Sequence, residues 1–213
     1  MQLKLFTAYK NSFSGLRPEV WYLALVTLIN RAGTMVIPFL SLYLTDDLNF
    51  TLKDVGWVMT AFGLGSVVGS WLGGKLTDKI GFYPVMFWSL LLSGIMFIGL
   101  QYLLSFWGLF WGVFILLVVA DAFRPGAYVA IATYSKPENK IRSITLLRLA
   151  INLGFSLGPA LGGLIIARLS YGGLFWIDGV TCIAAGIVFL FTLKNKRQHE
   201  NEENLNKEKS QSP

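Results

Sequence analysis

Apolar residues recur in six long runs along this chain, separated by short polar segments. Each run is long enough, as a helix rising 1.5 Å per residue, to cross a hydrocarbon layer roughly 30 Å thick. The runs predict six transmembrane helices, at about 20–44, 54–75, 83–104, 107–134, 142–168 and 172–193. We therefore expect an all-α membrane protein whose six-helix domain covers 20–193.

Polar segments precede and follow this predicted domain. Residues 1–19 form an N-terminal segment, and residues 194–213 carry mixed charges without an aromatic residue. That composition is typical of disorder. Residues 194–213 are interpreted either as a disordered cytoplasmic tail or as a truncated linker to a second membrane half.

Charge distribution predicts how the chain is oriented. Charged residues make up only 14% of the chain, and the net charge is +6. Most Lys and Arg residues outside the spans fall on the side that carries both termini, whereas Lys53 and Arg168 fall on the other side. Because positive residues concentrate in cytoplasmic loops, we expect both termini in the cytoplasm. The basic balance then reflects orientation, and no nucleic-acid partner is expected.

The residue types that carry catalysis or bind metals are scarce. Cys182 is the single cysteine and lies in a span, and His199 is the single histidine and lies in the polar tail. This excludes a disulfide framework and a histidine-based metal or haem site within the membrane. The spans contain no Ser/His or Cys/His constellation, so we expect neither an enzyme nor a cofactor.

A charged connector with glycines joins the second and third spans. Five of its positions form a pattern of fixed spacing: Gly65, Gly74, Asp78, Lys79 and Gly81. The pattern resembles the signature loop between helices 2 and 3 of the major facilitator superfamily, where the Asp and the basic residues form part of a cytoplasmic gate. The family usually continues with further basic residues, where this chain has Phe82 and Tyr83. The alternative is an ordinary short helix hairpin.

Small residues are concentrated in the fifth span. They form a motif with one proline: Gly154, Gly158, Pro159, Gly162 and Gly163. Glycines let a neighbouring helix approach closely, and proline removes a backbone donor. The motif resembles one that this superfamily associates with antiporters, chiefly drug/proton exporters, although Thr145 replaces its first glycine. The alternative is a generic packing face.

Several charges lie within the predicted spans. An ionised side chain at the middle of a bilayer costs on the order of 2.5–3.5 kcal/mol even on insertion scales. Asp121 and Arg124 are three residues apart and share a helix face, and Arg148 and Asn152 are four apart. Together with Arg31 they are our candidates for a proton or substrate pathway. Snorkelling and purely structural ion pairs are the alternatives.

Two further observations bear on this pathway. Arg124-Pro125-Gly126 resembles the superfamily's helix-4 motif with its membrane-embedded Arg, and Tyr128 stands where that motif has another glycine. Asp178, near the outer start of the sixth span, is interpreted mainly as an interfacial residue. A proton-binding role for Asp178 is the less favoured alternative.

The resemblance covers about residues 20–193. It implies the amino-terminal half of a twelve-helix transporter, with two inverted three-helix repeats. It further implies transport of a small organic solute by alternating access, as proton-coupled multidrug-type efflux across the plasma (inner) membrane. The implied partners are membrane lipid, the solute, H⁺, and either a second six-helix half or a second copy of the chain.

Two other functions stay open. Asn30-Arg31, with Gly33 and a later Tyr43-Leu44, loosely resembles helix 1 of proton-coupled peptide transporters, although the acidic residues that precede the Arg there are absent. Uptake of a peptide or another nutrient is therefore one alternative. A non-transporting membrane fragment or scaffold is the other.

Overall fold

A computed structural model describes residues 15–193, and these residues form helices joined by short connections. Residues 1–14 of the predicted N-terminal segment and all of 194–213 lie outside the described residues. The helices are α1 (Pro18–Ala32), α2 (Val36–Leu42), α3 (Leu52–Ile80), α4 (Phe82–Leu100), α5 (Phe106–Asp121), α6 (Phe123–Tyr134) and α7 (Lys140–Thr192). A π-helical turn (Tyr43–Asp47) extends α2, and a short 3₁₀ turn (Pro137–Asn139) precedes α7.

Five helical stretches are long and apolar enough to cross a membrane. They are Pro18–Asp47, Leu52–Ile80, Phe82–Leu100, Phe106–Tyr134 and Pro137–Thr192. The expected all-α membrane class is therefore confirmed, whereas the number of spans differs from the six expected. The difference arises entirely in α7, which contains both of the last two predicted spans.

The first predicted span corresponds to one stretch, Pro18–Asp47, which is interrupted near its middle. The chain leaves helical geometry between Ala32 and Val36, and α2 then starts two residues before Pro38. Pro38 has no N–H to donate to the carbonyl of Thr34, so one helix running through this point would lose a hydrogen bond. Proline is tolerated in the first turn of a new helix, and Pro38 occupies such a position here.

The fourth predicted span is interrupted for the same reason. Helix α5 ends at Asp121, and α6 begins at Phe123 after the single residue Ala122. Pro125 lies in the first turn of α6 and has no N–H to donate to the carbonyl of Asp121. The interruption therefore falls between Asp121 and Arg124, the two charged residues of this span.

Helix α3 is longer than expected. The sequence predicted a span ending at about residue 75 and a polar connector after it, but α3 continues to Ile80 and α4 starts at Phe82. Gly81 alone makes the turn, with φ 88° and ψ 162°. Residues with a Cβ rarely adopt positive φ, so glycine suits this junction.

Helix α7 runs for 53 residues and includes one residue with non-helical geometry, Ser170, at φ 73° and ψ 175°. The sequence predicted a loop at about 169–171 between two spans. The structure concentrates the change of direction into this single residue.

A row of glycines brings α3 against α5. The row consists of Gly65, Gly69 and Gly73. A Cβ placed on the first two would lie 2.5 Å from the backbone oxygens of Phe114 and Val118, and on the third 2.5 Å from the Cα of Ala122. No side chain fits at such distances. Glycine at every fourth residue therefore lets α3 touch α5 and the adjoining Ala122 along about two turns.

Two apolar clusters lie at opposite ends of the bundle. One cluster includes Leu23, Phe82, Tyr134 and Phe189, and the other includes Leu44, Val58, Leu109 and Phe175. Along α1, α4 and the α5–α6 stretch, the buried polar residues fall between the segments that build the two clusters. These residues are Thr27, Asn30, Arg31, Thr34, Ser93 and Asp121. The bundle thus has a polar layer between two apolar cores.

Asp178 belongs to this layer and not to the membrane interface, so its interfacial interpretation was wrong. Its side chain is fully buried. Its Oδ1 accepts a hydrogen bond from the Met35 N–H at 2.9 Å, and its Oδ2 accepts one from the Val36 N–H at 2.7 Å. The interruption of the first span leaves N–H groups without intrahelical partners, and the carboxylate of Asp178 satisfies two of them.

We predict that the glycine row is required for stability. Gly69→Ala should lower the free energy of unfolding by about 1–3 kcal/mol because its Cβ overpacks the α3–α5 seam. The melting temperature of the purified protein should fall by at least about 2 °C. Gly63→Ala is the matched control, since a Cβ at Gly63 meets nothing within 4 Å. Equal melting temperatures for the two variants would contradict the prediction.

We also predict that Asp178 stabilises the interrupted first span. Asp178→Leu should lower the free energy of unfolding by about 1–3 kcal/mol for each N–H that it leaves unsatisfied. Asp178→Asn keeps one carbonyl acceptor and should lower the free energy of unfolding by less. Thermal unfolding of the two variants checks this order, and an Asp178→Leu protein as stable as the wild type would show that these hydrogen bonds contribute nothing.

Candidate functional site

Asp121 and Arg124 form an ion pair at the interruption between α5 and α6. The Arg124 Nε lies 2.8 Å from the Asp121 Oδ1. The side chain of Asp121 is 3% exposed and that of Arg124 is 47% exposed. The pair is therefore formed by an enclosed carboxylate and a guanidinium that reaches toward the open face of the bundle.

The second oxygen of Asp121 is also occupied. The Ser66 hydroxyl, on α3, donates a hydrogen bond to the Asp121 Oδ2. Ser66 directly follows Gly65, whose contact with Phe114 brings α3 close to α5. The glycine row thus places a hydroxyl donor beside the buried carboxylate.

Arg31 lies in the last turn of α1 and is 7% exposed. Its guanidinium carbon lies 5.5 Å from the centre of the Phe155 ring, which is within the range of cation–π attraction. No carboxylate among residues 15–193 forms an ion pair with Arg31. Of the two guanidiniums in the layer, one is neutralised and the other is not.

Two cavities adjoin these side chains, with volumes of about 180 and 190 Å³. Arg31, Arg124 and Phe155 line both cavities. The first cavity is otherwise walled mainly by apolar and aromatic residues: Thr27, Phe123, Ala127, Tyr128, Leu147 and Ile151. The second contains more polar groups, including Asn30, Thr34, Ser93, Asp121 and Cys182. The Asn30 Nδ2 donates to the Cys182 Sγ at 3.5 Å.

The glycine motif of α7 lies against the first span. Its successive glycines meet successive parts of that span. Gly154 meets the Cβ and backbone of Arg31, Gly158 meets the carbonyls of Arg31, Ala32 and Thr34, and Gly162 meets the ring of Phe39. Gly163 lies beside the tip of the same ring, and Pro159 is exposed. This motif therefore borders the segment of the first span that carries Arg31 and the interruption.

The residues of the predicted gate motif are placed along α3 and at its end. Gly65 packs in the α3–α5 seam, whereas a Cβ on Gly74 would meet nothing within 4 Å. Asp78 and Lys79 are exposed in the last turn of α3, immediately before Gly81. The motif thus connects the helix that contacts Asp121 to a charged helix end.

The structure does not bring all the pathway candidates together. Arg31, Asp121 and Arg124 meet around the two cavities, whereas Arg148 and Asn152 are exposed on α7 and line neither cavity. Sequence reasoning missed Ser66 and Phe155. Each of them directly follows a motif glycine, Ser66 after Gly65 and Phe155 after Gly154. That position next to a close helix contact could have identified both residues.

Comparison with known proteins gives the family. A family model described as Major Facilitator Superfamily matches residues 23–212. The chain is 30% identical over 164 residues to Quinolone resistance protein NorA of Staphylococcus aureus, covering 77% of this chain and 42% of that protein.

It is also 26% identical over 148 residues to Uncharacterized MFS-type transporter YqjV of Bacillus subtilis, covering 69% of this chain and 36% of that protein. The chain therefore spans less than half the length of these curated relatives. With a family model matching almost the whole described bundle, this chain belongs to the Major Facilitator Superfamily.

Proposed function

We propose that this chain forms part of a transporter that moves a small organic solute out of the cell by alternating access, coupled to protons. Its family consists of transporters and not enzymes, and its apolar helices make it an integral membrane protein. The observation that carries the proposal is the enclosed carboxylate of Asp121, paired with Arg124 beside two cavities.

Asp121 is the proposed proton carrier. A proton on its carboxylate removes the negative charge that Arg124 neutralises, so the pair loses most of its attraction. Arg124, which lines both cavities, then presents an unpaired positive charge to them. Loss of the proton restores the pair. The charge state of one residue thereby changes the charge that a solute meets.

Ser66 is the proposed link between this proton and the gate. Its hydroxyl donates to Asp121 and stands on the same helix as Asp78 and Lys79. Because α3 is one uninterrupted helix of 29 residues, a displacement at Ser66 also moves its charged end. We propose that Asp78 and Lys79, with Gly65, Gly74 and Gly81, act there as the cytoplasmic gate.

The architecture that we propose has six spans. At 1.5 Å per residue, the 53 residues of α7 would extend about 80 Å, nearly twice the 40–45 Å of a whole bilayer. A reversal at Ser170 divides α7 into two segments of spanning length. Six spans, arranged as two inverted three-helix repeats with both termini in the cytoplasm, then agree with the positive residues and with the family.

We propose that the cavities are completed by a second six-helix half or by a second copy of the chain. The length of the curated relatives supports this, because the chain covers 42% of NorA. A second half would also cover the side chain of Arg124, which is 47% exposed. Substrates would then bind between two halves near the middle of the bilayer.

Efflux is the proposed direction. Two features support it: the resemblance of the Gly154–Gly163 motif to that of antiporters, and similarity to a protein named for quinolone resistance. The contact of Gly154, Gly158 and Gly162 with the first span gives this motif a seam along which that span can slide. Arg148 and Asn152 stay predictions from the sequence.

We predict that Asp121→Asn uncouples transport from protons. In proteoliposomes with an imposed pH gradient, movement of a fluorescent quinolone should fall about tenfold or more, as expected for loss of a required proton carrier. Exchange of the quinolone without a gradient should persist. Asp47→Asn, at an exposed residue, is the control. Normal gradient-driven flux in Asp121→Asn would refute the role of Asp121. No flux with the wild-type chain would favour the scaffold alternative.

We predict that Asp78→Ala slows transport without changing substrate choice. Loss of the gate charge should lower the turnover number several-fold, roughly the effect of one exposed to half-buried charge interaction, and leave KM for the quinolone unchanged. Asp47→Ala is the matched control, since this exposed aspartate lies beyond the opposite end of α3. An unchanged turnover in Asp78→Ala would count against a gate at this position.

A further inference from the structure

We infer that Arg31 is the anion-binding group of a subsite for a planar aromatic carboxylate, whose ring occupies the cavity lined by Phe123, Tyr128 and Phe155. The inference rests on the proposed transport function and specifies its class of substrate. It starts from the charge balance of the polar layer.

The side chains that line the two cavities include two arginines, Arg31 and Arg124, and one carboxylate, Asp121. Arg124 is neutralised by Asp121, and the other Asp121 oxygen is occupied by the Ser66 hydroxyl. Neither oxygen of Asp121 is hydrogen-bonded to Arg31. The second buried carboxylate of the layer, Asp178, is bound by the Met35 and Val36 N–H groups. Both carboxylates are therefore bound to other groups, and Arg31 is the arginine that has no acidic partner.

Arg31 is more than nine-tenths buried, and within residues 15–193 its guanidinium has no hydrogen-bond acceptor from the protein. A buried cation without a partner is costly. Arg31 lines both cavities, and its guanidinium carries five N–H donors. A guanidinium is planar, and its paired donors match the two oxygens of a carboxylate. An anion in either cavity would supply what this side chain lacks.

The wall next to Arg31 selects an aromatic ring. Phe155 holds its ring 5.5 Å from the guanidinium, and Phe123 and Tyr128 face the same cavity together with Leu147 and Ile151. Apolar and aromatic walls with a few polar or charged groups are typical of small-molecule sites. Rings stack on such walls in offset or edge-to-face arrangements. The carboxylate and the ring of one ligand therefore have separate, adjacent places.

Two contacts hold the backbone of Arg31 in position. Its Cβ and backbone fit against Gly154, and its carbonyl accepts a hydrogen bond from the Thr34 hydroxyl at 2.7 Å. These contacts fix the backbone just before the interruption of the first span. A fixed arginine binds an anion with less loss of entropy than a mobile one. A cationic ligand, in contrast, would meet the unneutralised charge of Arg31.

The test is equilibrium binding of 2-naphthoate and its neutral isostere 2-naphthamide to the purified full chain in lipid nanodiscs, by calorimetry at neutral pH. The wild type should bind naphthoate about tenfold or more tightly than naphthamide, as a charge-assisted hydrogen-bonded pair predicts. Arg31→Gln should abolish that preference and leave naphthamide affinity within about twofold. Arg168→Gln, at an exposed arginine of α7 that lines neither cavity, should keep the full preference.

Arg31→Lys separates recognition from folding. Lysine keeps the charge but lacks the paired donors, so the preference should shrink to about threefold and not vanish. Equal binding of acid and amide by the wild type, no binding of the acid, or a full preference in Arg31→Gln or Arg31→Lys would each overturn the inference. A preference retained in Asp121→Asn, alongside loss of proton-driven flux, separates this inference from the proposed coupling.

Discussion

Contact between helix backbones at glycine underlies the whole arrangement. In a lipid environment, helices gain little from hiding apolar side chains from one another, so close van der Waals packing must hold them together. The α3–α5 seam uses Gly65, Gly69 and Gly73, and the seam between α7 and the first span uses Gly154 and Gly158. Each seam runs beside one charged residue: Asp121 at the first and Arg31 at the second. The same glycines therefore determine how these helices pack and where Asp121 and Arg31 lie.

The polar layer is stable because its charges are compensated in three different ways. Asp121 has an arginine and a hydroxyl, Asp178 has two backbone N–H groups, and Arg31 has only the face of Phe155. An ion buried without full compensation costs free energy that the rest of the bundle must offset. Residues kept at such a cost within a membrane are typically functional. Of Asp121, Asp178 and Arg31, Arg31 has the least compensation from the protein.

The sequence allows the membrane class, the family and the Asp121–Arg124 pair to be predicted, because hydropathy and three-residue spacing are local signals. The interruptions of the first and fourth spans depend on Pro38 and Pro125, which are also visible locally. Their compensation is not visible, since Asp178 binds the Val36 N–H across 142 residues of sequence. The interfacial interpretation of Asp178 failed for this reason. The continuation of α3 to Ile80 was missed because charged residues at a helix end resemble a loop in hydropathy.

The charges and the interruptions occur together, and this has a mechanical consequence. Arg31 lies just before the break in the first span, and Asp121 and Arg124 flank the break in the fourth. At a break the backbone lacks part of its helical hydrogen bonding, so a small torsional change reorients the segment that follows. The change of charge proposed for Asp121 would therefore act where the chain is easiest to bend. Helix α3, bonded to Asp121 through Ser66, is uninterrupted and in that proposal would pass the movement on to Asp78 and Lys79.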